Sequence, residues 1–159
     1  MRARVSALIT GLQSLALTLW VGSMWAVGYL VAPVLFESLP DPMKAGAIAA
    51  RLFRITGYLG LACGLFLLAT QLYREGFRGF RRWRLPVLGV MVAIGLVGQL
   101  GLMPAMHRLR VLADGRLVSG TAIARHFGVL HGIASTLFLA DSLLGLLLVT
   151  CGLWASSGE

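Results

Sequence analysis

Four long stretches of this chain carry almost no charge, and the breaks between them hold nearly all of it. The first runs from Val5 to Phe36 without a charged residue, the second from Ile55 to Tyr73, the third from Leu85 to Met106. The fourth, from Phe127 to Gly158, is interrupted by Asp141 alone. None alternates apolar with polar, so none has the period of a half-buried strand. Each exceeds the ~18 apolar residues at which a run is read as a transmembrane helix. The pattern predicts helices at about 6–39, 42–73, 86–109 and 124–153. The fold class that follows is all-α: an antiparallel four-transmembrane-helix bundle, organised as a single domain over 1–159.

The breaks carry their own signals. Leu39-Pro40-Asp41-Pro42 is a turn in which Asp41 caps the second helix and Pro42 takes its first position. Pro33 and Pro104 lie inside helical pattern, where each removes a backbone hydrogen bond and predicts a bend. The start of the second helix sets Lys44, Arg51 and Arg54 beside apolar residues, an amphipathic entry at the membrane surface. Asp114-Gly115 marks a turn in the third loop.

Composition agrees: 58% of the residues are hydrophobic and 13% charged, against about a quarter charged in soluble domains. Four spans leave no room for a soluble catalytic domain. The N-terminal apolar run is longer than the ~7–15 residues of a signal h-region, so it reads as a retained helix. Cys63 and Cys151 lie in apolar runs with no CxxC, so they read as small hydrophobes.

The formal charge of +8 comes chiefly from arginine. These arginines flank the spans, where they act as topology signals and headgroup contacts rather than as a nucleic-acid surface. Arg74, Arg78, Arg81, Arg82 and Arg84 make the second loop the densest charge block, with anionic lipid headgroups as its expected partners. That density orients both termini to the cytoplasm, in a bacterial inner membrane. "Outer" denotes the side holding the first and third loops.

Leucine packs no better on leucine than on lipid, so small residues and interhelical hydrogen bonds must hold the bundle. The first helix offers a stripe of Gly11, Ser14, Thr18, Gly22, Trp25 and Tyr29. The second has Gly60-x-x-x-Gly64, the third Gly95, Gly98 and Gly101, the fourth Gly128-x-x-x-Gly132. Packing is the plain use of these signals; a homo-oligomer or a membrane-protein partner would use them too.

Polar groups in hydrocarbon need a partner or a purpose. Asp141 is expected to be buried against Gln13 or a serine; a proton relay would need a second membrane acid, and the sequence has none there. His131 is expected to bond a neighbouring helix or to ligate a haem or metal axially. His126 points about 140° away on the same helix, which disfavours a bis-histidine haem. Met103, Met106 and His107, at i, i+3 and i+4, suit Cu(I), although methionine in an apolar helix ordinarily only packs. No cofactor is predicted outright; haem and copper are the alternatives. Both proline bends and several polar groups share one depth, which predicts an outer cleft lined by Tyr29, Arg54, Gln99, Met103 and His131. Glu37 is placed to pair with Arg51 or Arg54 at its rim. Nucleophile elbow, phosphate loop, HExxH and paired carboxylates are all missing, so no catalytic residue is assigned.

Three segments carry a family resemblance: Gly22 to Pro40 (GSMWAVGYLVAPVLFESLP), Ala45 to Phe53 (AGAIAARLF) and Phe127 to Ser135 (FGVLHGIAS). They resemble the transmembrane protein 205-like family, small four-helix membrane proteins mostly described as domains of unknown function, with a vertebrate member associated with platinum-drug resistance. The resemblance implies architecture, and no reaction or binding residue comes with it. The chain departs from the family pattern in the aromatic cluster after Phe53, reduced to Tyr58, and in Ala134-Ser135 where the family pairs serines. A shorter similarity, Gly28 to Phe36, points to membrane-bound protoporphyrinogen oxidases and copper-resistance proteins, and with them to metal tolerance; the first helix has no histidine to support it. The functional expectation is a non-enzymatic membrane protein that binds or moves a small ligand, or supports a membrane partner. The alternative is a haem- or copper-linked redox protein using His131.

Overall fold

The computed structural model describes residues 2–75, 83–113 and 120–154. They form four antiparallel helices: α1 (residues 2–38), α2 (Pro42–Glu75), α3 (Arg84–Leu112) and α4 (Ala122–Trp154), with no strand among the described residues. All four are long and apolar enough to cross a membrane. Large side chains such as Leu8, Leu15, Leu30, Ile55, Leu65, Leu100, Val129 and Leu143 face outward. An outward belt of this kind is unstable in water and matched to lipid. The chain is thus a membrane-spanning helical bundle, and the alternation of direction puts both ends of the described chain on one side.

Helix starts follow local chemistry. Asp41 Oδ1 accepts from the backbone N–H groups of Met43 (2.9 Å) and Lys44 (3.4 Å), and Pro42 opens α2, satisfying donors that have no intrahelical acceptor. Thr121 Oγ1 accepts from Ala124 N–H at 3.2 Å to cap α4, after Gly120 turns the chain with a φ of 88°, a conformation glycine adopts without a Cβ penalty.

The helices stand in chain order around the bundle, α1 against α2, α2 against α3, α3 against α4, and α4 against α1. The tightest point is Trp20, 4% exposed, whose indole lies over Gly60 and Gly64. A Cβ at Gly64 would sit 2.7 Å from both Trp20 and Val92, so only a bare backbone admits the ring. Met24, Leu61, Leu88, Met91 and Leu148 complete the core around it.

Two packing expectations are corrected. Gly11, Ser14, Thr18 and Gly22 of α1 point away from the bundle, and nothing approaches the Cβ positions of Gly11 and Gly22 within 4 Å. The inward face is Ala16, Trp20 and Met24. Small residues suit a lipid-facing surface as well as a packed one, so their spacing alone does not choose between them. Likewise Gly128 and Gly132 of α4 face open space, and α4 makes its close approach at Gly145, against Val21, Met91 and Met24.

Both predicted bends take a specific form. α1 and α3 each contain one π-helical turn, Ala26–Val31 and Val97–Leu102, and each turn ends two residues before a proline, Pro33 or Pro104. Proline has no N–H to donate, and its ring crowds the carbonyl four residues back. Widening the preceding turn moves that carbonyl aside without breaking the helix. An inserted residue also rotates the faces on either side of it relative to one another. At these two turns α1 and α3 change which side chains they present to the interior.

Candidate functional site

The inner half of the bundle is tied shut. Gln13 Nε2 donates to Thr70 Oγ1 at 2.8 Å, and Arg74 donates to Thr10 Oγ1 and Gln13 Oε1, each at 3.3 Å. Arg84 donates to the Cys151 carbonyl at 3.3 Å. Trp25 Nε1 bridges α1 to the Ser142 carbonyl of α4 at 3.3 Å. Gly28 and Tyr29 still meet Phe138 of α4; beyond the Ala26–Val31 turn the outer end of α1 packs on α2 and parts from α4.

That divergence opens a cavity of about 720 Å³ in the outer half, reaching from Phe36 and Arg110 at the rim to Trp20 at the floor. Its length along α1 is about 24 Å, and its volume falls within the ~300–1,000 Å³ of small-ligand sites. The two π-turns form part of its wall, through Gly28 and Tyr29 on one side and Gly98 and Gln99 on the other. A Cβ at Gly28 would run into the Phe138 ring, and one at Gly57 into the Gln99 amide. These glycines let the two turns press against α4 and α2. Phe138 links three helices, with Phe53 edge-on at 5.3 Å and Tyr29 tilted at 5.9 Å.

Tyr29, Arg54, Gln99, Met103 and His131 all line this cavity, as do Met106, His107 and Asp141. His131 bonds no neighbouring helix in the described structure; its ring stacks on Phe127 of its own helix at 6.1 Å. Asp141 is 6% exposed and is not paired with Gln13, which is satisfied instead by α2 at the inner side. The pairing expected from depth fails because the two side chains belong to different ends of the packing. Nor does Glu37 pair with an arginine: the ion pair found among the described residues joins Lys44 to Asp41, at 3.8 Å.

Among the described residues, three buried side-chain polar atoms lack a hydrogen-bond partner: Gln99 Oε1, Arg110 Nε and Asp141 Oδ1. All three residues line the one cavity. Gln99 is 8% exposed and spends its amide N–H on the Phe53 carbonyl at 3.3 Å, which leaves its oxygen free. Arg110 lies with its guanidinium 5.6 Å from the centre of the Phe127 ring, a cation–π contact that engages the face of the group and not its N–H bonds. An unpaired buried polar atom costs ~1–3 kcal/mol, and the three residues that carry one share this cavity.

Sequence reading missed Arg110, Phe53, Phe138 and Trp20 as cavity residues. A signal for Arg110 was present: Gln99, Met103, Met106 and Arg110 follow the i, i+4, i+7, i+11 rhythm of one helical face. Among the described residues no three His, Cys, Asp or Glu side chains gather to hold a metal ion, so the metal-tolerance expectation finds no support there. Most of the arginine-rich second loop, residues 76–82, and the Asp114-Gly115 turn lie outside the described residues.

Residues 15–114 match the family model of a domain of unknown function, DUF4149, which agrees with the transmembrane protein 205-like resemblance. No curated protein and no solved structure matches the chain.

Proposed function

The chain belongs to the DUF4149 family, and from that premise we propose that this member is a non-enzymatic membrane protein that holds a small amphiphilic ligand in its outer cavity. One observation carries the reading: the three residues that hold an unpartnered buried polar atom in the described structure all line the same, largely apolar, space. Apolar walls with a few convergent polar groups are the usual make-up of a ligand site. The opening between α1 and α4 faces the bilayer, so the ligand enters from the membrane. With both termini cytoplasmic, the cavity lies in the half of the membrane away from the cytoplasm.

Native mass spectrometry of protein extracted in mild detergent tests this. The expected result is a bound small molecule on the wild type and a several-fold lower occupancy on Gln99→Leu. A protein that emerges free of any adduct, and takes up none from an added membrane lipid extract, sinks the proposal.

A further inference from the structure

We propose that the ligand is a lipophilic amine whose ammonium group pairs with Asp141 in the inner part of the cavity. This rests on the ligand-binding reading above and names its chemistry. Asp141 is almost fully buried and lines the cavity. Its Oδ1 is sealed without a partner, its Oδ2 is not sealed, and neither oxygen accepts a hydrogen bond from any described residue. No ion pair engages it among the described residues. Asp141 stands near the middle of α4, at the depth of hydrocarbon, where a carboxylate without a counter-charge is costly. A neutral hydroxyl or amide would serve its oxygens and leave that cost in place. An ammonium donates and neutralises at once.

The surroundings fit a cation with an apolar body. Trp25 donates to the carbonyl of Ser142, which sets Asp141 at the level of Trp25 on α1. Phe138, about one turn outward on the same helix, packs with Tyr29 and Phe53, and Trp20 closes the inner end. All four rings line the cavity. A ring face attracts an ammonium and offers apolar contact to its substituents. The cationic and titratable side chains that share the lining leave Asp141 without a counter-charge. Arg110 reaches the level of Gly46, near the outer start of α2, with His107 about one turn from it on α3. His131 lies nearly three turns outward of Asp141 on α4. Arg54 is exposed, and its side chain leans toward the outer start of α2. A phospholipid headgroup rests at the interface and does not reach Asp141, so the ligand enters whole, through the opening where α1 parts from α4.

Three probes of one chain length, bound to the full chain in maltoside micelles with empty micelles as the reference, test this: dodecyldimethylamine, protonated at neutral pH, neutral dodecanol, and anionic dodecanoate. The expected result is the amine at least tenfold tighter than either of the others. Asp141→Asn keeps the shape and removes the charge, and should abolish that preference. If Asp141→Asn does not fold, labelling of wild-type Asp141 by the lipophilic reagent dicyclohexylcarbodiimide reads the same contact: the amine should protect it and dodecanol should not. Equal binding of amine and dodecanol, a preference that survives Asp141→Asn, or labelling that the amine leaves unchanged overturns the ammonium while leaving a ligand cavity standing. Tighter binding of dodecanoate moves the charged contact to the arginines and overturns it too. Failure of all three probes on a protein that carries a native adduct overturns the amine alone. Their failure together with an adduct-free native protein takes the cavity reading down as well.

Discussion

At the scale of single residues, Gly64 and Asp141 show opposite relations to stability. Gly64 is where Trp20 and Val92 close on bare backbone. Gly64→Ala places a methyl group into both, and is expected to cost about 1–3 kcal/mol, the usual penalty of overpacking. Thermal unfolding in detergent would show it as a lowered midpoint, with Gly11→Ala, at an open position, as the silent control. Asp141 carries an acceptor with no partner. Asp141→Leu removes that liability, and the ligand-free protein is expected to gain about 1–3 kcal/mol. The same variant should hold less ligand. A variant that is both less stable and fully loaded would show that Asp141 is structural.

At the scale of elements, the two π-turns govern what faces the cavity. Pro33→Ala restores a donor and lifts the clash that widens the Ala26–Val31 turn. If the turn relaxes to α-helix, residues beyond it rotate by about 100° relative to those before it. Spin labels at Phe36 and Val129 are expected to report a shifted distance in Pro33→Ala; an unchanged distance would mean that packing, not proline, holds the turn open. These turns also mark the limit of what was legible in the sequence. The spans, the Asp41 cap and the two bends follow from local chemistry that the chain states outright. Counting residues inward from the helix ends predicts one depth for Tyr29, Gln99 and His131, whereas Tyr29 meets Phe138, about two turns further along α4 than His131. The π-turns themselves do not follow, because a proline permits a kink or a widened turn alike. The outward stripe of α1 misleads for a related reason: lipid accepts glycine, serine and threonine as readily as a neighbouring helix does. Trp20 is the reverse case, a large ring whose buried place depends on two glycines forty residues away in the chain.

At the scale of the whole molecule, antiparallel helices put both ends of the described chain on one side, and the proposed topology places that side in the cytoplasm. Single cysteines at Arg4 and Ser38, both outward-facing, check the assignment with a membrane-impermeant maleimide. In intact cells Ser38→Cys should label and Arg4→Cys should not; the reverse result inverts the topology. The bundle is held together by hydrogen bonds between helices at its inner end, and at its outer end α1 parts from α4 beyond the Ala26–Val31 turn. A seam that parts in one leaflet and is tied in the other would admit lipid tails to the interior from one leaflet only.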